Sequence, residues 1–336
     1  MIKKILGFNL QSALTKWRSF FVLGSFALLC VVIGWLTYAY YVYSNPYNPT
    51  QKEITIIKGS STLDALFLLY KEKILPHPYL TITFAIFMRS PFKFVAGEYL
   101  FPTNAPPKQI FKILRMGQVL EHKFVFPEGL TTHEIVTSIN NDPRLSGALN
   151  IKIPEGSLFP STYKLQRNSD RMQLIKVMQD NMNKLAKELM KTNQNPFIKT
   201  EEQLITFASI LEKEAAIPEE LPRIAGVFVN RLKNHMRLQS CPTVIYAKTL
   251  GKTKTSNILT YEDLKIESEY NTYKKNGLPI GPICCPGLNA LKAAAYPMNT
   301  TELFFVFDGK QHHFSVTYKE HLNRKNLIKK RSKDSR

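Results

Sequence analysis

The sequence predicts an α+β protein assembled as a single N-terminal transmembrane helix, a small α+β domain and then a larger mixed α/β domain. Three observations lead there. Phe20 to Tyr43 is an apolar run without a charge, Ile54 to Met116 mixes short alternating stretches with amphipathic ones, and helix-period segments dominate from Thr132 onward.

No charged residue occurs between Arg18 and Lys52. The 24 residues from Phe20 to Tyr43, at about 1.5 Å each, give roughly 36 Å of helix, enough for a hydrocarbon core with some tilt. The run ends in Tyr38, Tyr40, Tyr41 and Tyr43, an interfacial aromatic cluster where a signal peptide would have small residues and a cleavage site. Lys3, Lys4, Lys16 and Arg18 precede it without an acidic residue among them, so the positive-inside rule places residues 1–18 in the cytoplasm, 19–44 in the membrane and the remainder outside.

Residues 45–52 read as a linker containing Pro and Asn. The small domain, 53–120, opens with the alternation Ile54-Thr55-Ile56-Ile57 and a Gly59-Ser60-Ser61-Thr62 turn, followed by an amphipathic segment from Leu63 to Tyr70. A helical stretch near Leu80 to Met88, a strand over Phe94 to Phe101 and a helix over Pro107 to Met116 complete it.

The larger domain, 121–323, begins with a strand and turn at Phe124-Val125-Phe126-Pro127-Glu128-Gly129 and a helix from Thr132 to Asn140. Phe159 and Tyr163 suit either sugar stacking or the core. Gln173 to Lys191 places Leu174, Val177, Met178, Met182, Leu185 and Leu189 on one side of a helix. Near the end, Leu303 to Phe307 and His313 to Val316 flank Asp308-Gly309, a hairpin dipeptide. His312, His313 and His321 are read as surface or structural histidines, and the basic stretch 324–336 as a disordered tail.

The chemistry centres on Gln203 to Tyr246. Leu204, Phe207, Ala208, Leu211 and Ala215 recur at the spacing of one helix face, and Glu212 and Glu214 fall to opposite sides of that stripe. They cannot form a paired dyad. Either carboxyl flanks apolar surface, where partial loss of water raises its pKa towards the range of a general acid, and the spacing does not choose between them. A polar loop follows at Ile217 to Leu221.

The blocks Arg223-Ile-Ala-Gly-Val-Phe-Val-Asn-Arg-Leu232 and Met236-Arg-Leu-Gln-Ser-Cys-Pro-Thr-Val-Ile-Tyr246 come next. With Tyr270-Asn-Thr-Tyr273, Gly277-Leu-Pro-Ile-Gly-Pro-Ile283, Pro286-Gly287 and Leu291-Lys-Ala-Ala294 in the same order, the chain resembles the MltG-type, YceG-like endolytic murein transglycosylases. Glu155-Gly-Ser-Leu-Phe-Pro-Ser-Thr-Tyr163 also stands where that family has an acidic, aromatic, proline-containing motif. The resemblance implies that Glu214 is the catalytic acid and that Gln239, Thr243, Tyr246, Asn271 and Tyr273 line the substrate cleft. It implies a LysM-like first domain, a YceG-like catalytic domain, and cleavage of the MurNAc–GlcNAc bond of nascent glycan strands with a 1,6-anhydro end. The competing readings are a non-catalytic peptidoglycan-binding scaffold and a muramidase-type hydrolase. Two family positions differ: Cys241 stands where an acidic residue is usual, and Cys285 where an asparagine precedes Pro-Gly.

The formal charge of +19, from 45 Lys and Arg against 26 Asp and Glu, suits a membrane face or an acidic polymer. No nucleic-acid signature accompanies it, so nucleic acid is not an expected partner. Glycan strands, the lipid bilayer and peptidoglycan synthases are, at a bacterial inner membrane with the catalytic domain outside. There, Cys241 is open to bridging with Cys284 or Cys285. No Cys-x-x-Cys spacing is present, so neither a metal nor a cofactor is expected.

Overall fold

The computed structural model describes residues 10–48, 50–80, 83, 94–253 and 259–334. Its first element, α1 (Leu10–Ser44), contains the 29-residue stretch Lys16–Ser44, long and apolar enough to cross a membrane, with an 18-residue window of mean hydropathy 2.3. Two compact units meet in sequence between His122 and Lys123.

In the first unit, β1 (Lys52–Ile56) pairs antiparallel with β2 (Gly97–Phe101), placing Ile54 opposite Tyr99. The helix α2 (Thr62–Lys71) starts at a capping box: Ser61 accepts from the Asp64 amide while Asp64 accepts from the Ser61 amide. Pro107, whose missing N–H costs nothing at a helix start, opens α3 (Pro107–Arg115). Leu66 and Leu69 of α2 and Ile110 and Leu114 of α3 bury themselves with Tyr99 and Phe101 in one core. The helix expected near Leu80 to Met88 falls almost entirely outside the described residues.

In the second unit, β3 (His122–Val125) pairs with β5 (Thr162–Leu165), and β4 (Leu145–Ser146) runs parallel to β6 (Ser169–Asp170). Two cores result. The smaller packs α4 (Thr132–Asn141) through Ile135 and Ile139 against Phe124, Leu158, Tyr163 and the start of α5 (Arg171–Lys191). Tyr163 is buried with its hydroxyl donating to the Phe159 carbonyl, and Phe159 packs on the larger core, so both rings are structural.

The larger core surrounds α6 (Glu201–Glu214), with α5, α7 (Leu221–Lys233) and α9 (Leu288–Ala295) packed against it. The Leu204, Phe207, Ala208, Leu211 stripe is fully buried, yet every residue from Leu204 to Leu211 is buried too. The helix is central rather than one-faced. Its polar side is tolerated because Ser209 donates to the Thr206 carbonyl and accepts from the Ile283 amide. The loop expected at Ile217 to Leu221 contains a single 3-10 turn, Pro218–Glu220, leading straight into α7.

The closing hairpin, β7 (Phe304–Phe307) and β8 (His312–Ser315), is antiparallel as the Asp308-Gly309 dipeptide predicts. His312 is hydrogen-bonded to Glu220 and His313 to Asp308, structural roles within the fold. Two expectations are corrected. The basic stretch is not disordered through Asp334: it continues α10 (Tyr318–Asp334), because Thr317 and Glu320 form a reciprocal cap that nucleates a helix through good helix formers. No bridge forms either, since all four cysteines are free: Cys284 donates to the Ser209 carbonyl, Cys285 meets the Thr132 hydroxyl, and Cys241 meets Tyr273.

Candidate active site

The helix α6 ends where its chemistry begins. Ala215 turns to extended backbone, and Ile217, which precedes Pro218, is extended as well. Glu214 is therefore the last helical residue. A carboxylate at a helix C-terminus faces the negative end of the helix dipole, which disfavours its charge.

Glu214 Oε1 accepts a 2.6 Å hydrogen bond from Ser240 Oγ. Ser240 is buried and stands at the N-cap of α8 (Cys241–Thr249), yet its side chain makes no capping bond because it is committed to Glu214. Its position is set from both directions. Gln239 takes a left-handed φ of 50°, its amide donates to the Thr272 carbonyl, and the Ser240 amide donates to Thr272 Oγ1. Behind this loop lies Arg231, buried, donating to the Leu238 and Leu303 carbonyls at 2.7 Å each. Burial raises the Glu214 pKa above the ordinary carboxyl value, against opposing pulls from the Ser240 hydroxyl, His312 and Arg231.

Glu212 has a different setting. Its Oε2 accepts from the Gly287 amide at 2.9 Å, and burial, reinforced by the nearby Glu128 carboxylate, raises its pKa as well. A Cβ at Gly287 would lie 1.9 Å from Glu128 Oε1, so a side chain there would push the exposed Glu128 carboxyl out of its present position. The loop around Cys284 and Cys285 joins these pieces. Ile283 is held by Ser209, and Cys285 exchanges backbone hydrogen bonds with Gly129 and Leu130. Burial pushes the Cys285 thiol up to about 12.

Glu128, Glu212 and Glu214 open onto one groove of about 1100 Å³. Its walls are α4, through His133, Glu134, Thr137 and Asn141, and α8, through Cys241, Pro242, Ile245, Tyr246 and Thr249. Glutamates, threonines, a serine and an asparagine among partly apolar walls suit a neutral, hydroxyl-rich chain rather than a compact anion. Among the described residues no group of three or more His, Cys, Asp or Glu side chains is arranged to hold a metal ion.

The six sequence-predicted site residues fare differently. Glu214 and Tyr246 line the groove, and the Tyr246 hydroxyl donates to Glu155 Oε2 at 3.2 Å. Gln239 is exposed and acts through its backbone. Tyr273 touches the Cys241 thiol at 3.2 Å, one step from the groove lining. Thr243 is fully buried, its hydroxyl shared between the Ser240 carbonyl and Thr272. Asn271 is fully buried too: its amide donates to the Leu264 and Ile266 carbonyls and its oxygen accepts from the Tyr273 amide. These two hold the loops that carry Ser240 and Tyr273, and they present no polar atom to the groove.

Sequence reasoning missed Ser240, Glu128 and the α4 wall. Ser240 stands inside the Met236 to Tyr246 block, directly before a Cys-Pro helix start, and that cap position was a readable signal. Glu128 and α4 lie far from the Glu212–Glu214 pair in sequence, and no local pattern brings them together.

The sequence profile of the YceG-like family matches residues 54–327. The chain is 40% identical over 175 residues to the endolytic murein transglycosylase of Bacillus subtilis, covering 51% of this chain and 47% of that protein. It is 38% identical over 159 residues to the endolytic murein transglycosylase of Streptococcus pneumoniae D39, covering 46% of this chain and 28% of that protein. It therefore spans about half the length of the first relative and little more than a quarter of the second. A crystal structure of a yceG-like protein from Listeria monocytogenes is similar at 30% identity and a TM-score of 0.50, covering 81% of this chain and 98% of that one.

Proposed function

The chain belongs to the YceG-like family, and from that membership we propose that it is an endolytic peptidoglycan lytic transglycosylase with Glu214 as its general acid and base. The observation that carries this reading is a partly desolvated carboxyl group at the end of a buried helix, held by one hydroxyl and open to a groove of about 1100 Å³ with polar and apolar walls.

In the first half of the reaction, the protonated Glu214 carboxyl gives its proton to the oxygen linking N-acetylmuramic acid to N-acetylglucosamine, and the muramyl C1–oxygen bond breaks. In the second, the muramyl C6 hydroxyl attacks C1 and its proton passes to the Glu214 carboxylate. A 1,6-anhydro ring closes, water takes no part, and Glu214 returns to its starting form. Ser240 positions the carboxyl and favours its ionised form in the second half. Tyr246 and the polar side chains of α4 offer hydrogen bonds to sugar hydroxyls and N-acetyl groups.

Around that chemistry we place α1 as a single-pass anchor in the bacterial inner membrane, N-terminus in the cytoplasm, and the globular units outside. The first unit is a LysM-like module that grips the glycan, the substrate is the nascent strand, whose elongation the cut ends, and peptidoglycan synthases are the partners. Glu212 and Glu128 in the same groove favour one alternative, a two-carboxylate hydrolase releasing reducing ends.

The test is to digest peptidoglycan with the full chain and with Glu214→Gln and to weigh the products in water enriched in heavy oxygen. Anhydro ends without label that vanish in the variant support the proposal. Labelled reducing ends establish the hydrolase, and anhydro ends at an unchanged level in the variant remove Glu214 from the role.

A further inference from the structure

We propose that the exposed face of α3 docks onto anionic phospholipid headgroups at the membrane surface where α1 emerges. The inference goes beyond the glycan chemistry and rests on α1 lying in a bilayer.

Lys108, Lys112 and Arg115 stand at i, i+4 and i+7 of α3, all exposed and on one face, opposite the buried Ile110 and Leu114. Among the described residues no carboxylate pairs with any of the three, whereas Lys52 of the same unit is paired with Glu72 at 3.3 Å. With Tyr43, Gln109 and Phe111 they line a recess of about 350 Å³. Its floor is aromatic and its rim cationic, complementary to the first acyl carbons and to the anionic phosphate of a glycerophospholipid.

The depth of this face follows from where α1 ends. Tyr43 is in the last turn of α1 and its ring lies 6.1 Å from that of Phe111. Tyr38, Tyr40 and Tyr41 are exposed in the same turns, an aromatic belt of the kind that settles at headgroup level. The link is stitched rather than loose. Asn48 Nδ2 donates to the Pro102 carbonyl at 2.9 Å, the Asn104 amide to the Asn48 carbonyl at 2.5 Å and the Tyr47 amide to the Ala105 carbonyl at 3.4 Å. The cations of α3 are thus held beside the belt by contacts on both sides of the linker. A solvated basic face would require none of this placement. At about fivefold per cation close to an anionic surface, three give roughly a hundredfold preference for anionic over zwitterionic lipid.

The full chain is reconstituted in nanodiscs of phosphatidylcholine with or without phosphatidylglycerol, each doped with the matching lipid bearing a diazirine at the start of one acyl chain. After illumination, crosslinks are mapped by mass spectrometry for the native chain and for Lys108→Gln/Lys112→Gln/Arg115→Gln, whose fold is checked by its melting curve. Docking predicts crosslinks to 107–116 from phosphatidylglycerol, at least tenfold fewer from phosphatidylcholine, and their loss in the variant or at high salt. Equal labelling by both lipids, or labelling that survives the triple substitution, overturns it while crosslinks to 20–43 in both lipids still uphold the anchor. Absence of crosslinks to 20–43 overturns the anchor and the docking together.

Discussion

Replacing Arg231 by methionine separates the carboxyl chemistry from the frame that holds it. The guanidinium donates 2.7 Å hydrogen bonds to the Leu238 and Leu303 carbonyls, one just ahead of Ser240 and the other at the start of the closing hairpin. Two bonds with an ionised donor contribute about 1.5–3 kcal/mol each. Methionine restores most of the alkyl packing and removes a charge that burial already disfavours, so the net loss is about 2–4 kcal/mol. For a unit of this size that lowers Tm by about 5–15 °C, which calorimetry on the full chain would register. The same substitution acts on the proposed chemistry. Arg231 favours the Glu214 carboxylate, so its removal raises the carboxyl pKa further and the alkaline limb of kcat/KM moves to higher pH. An alkaline limb that stays in place, or a Tm within 2 °C of the native chain, would refute the reasoning.

Four further outcomes are expected. In the folded chain the raised Glu214 pKa favours the protonated form, so the penalty for ionising it is absent below the ordinary carboxyl range and grows as pH rises through the folded value. Glu214→Gln should accordingly gain Tm over the native chain between about pH 4 and pH 7, while anhydro product formation drops about 10²–10⁴-fold; a constant Tm difference across that range contradicts the burial argument. Asn271→Ala removes three internal hydrogen bonds and should destabilise by about 2–4 kcal/mol in urea unfolding, whereas a stable variant with raised KM alone would return Asn271 to the substrate cleft. Gly226→Ala puts a Cβ 2.3 Å from the Met298 carbonyl oxygen, and that backbone is held by the Met298 amide on Pro222. Overpacking of about 1–3 kcal/mol should then exceed the helix-propensity gain of about 1 kcal/mol, and a higher unfolding midpoint would show that the loop yields. A bulky, membrane-impermeant thiol reagent should label Cys241 in the folded chain and reach Cys284 and Cys285 only after denaturation, as peptide mass mapping would reveal; early labelling of the buried pair would dispute their packing.

How much could be read beforehand follows the range of the interactions. The stripe from Leu204 to Leu211, the capped helix at Thr62 and the Asp308-Gly309 turn are local patterns, and each produced its element. What escaped depends on contacts across the chain. Burial of Leu204 to Leu211 on every side comes from the helices packed around α6, and the groove wall at α4 is tied to α6 through the Ile283 to Gly287 loop and through Lys213, which donates to the Gly129 carbonyl. Residue type misled at Thr243 and Asn271. A small polar side chain in a motif serves a ligand or a loop equally well, and only the positions of Ser240, Thr272 and the Leu264 and Ile266 carbonyls show where their hydrogen bonds go. From 324 to 334 the helix reads as a disordered tail because the basic composition outweighs the cap at Thr317, which lies outside that stretch.

Gly287 carries no charge, yet it sets where charge can sit in the groove. Its amide fixes the Glu212 carboxyl, and the space left by its absent side chain is the berth of Glu128. A single added methyl would turn the Glu128 carboxyl aside while leaving the amide on Glu212, so the layout of charge in this cleft answers to a position that no survey of ionisable residues would examine.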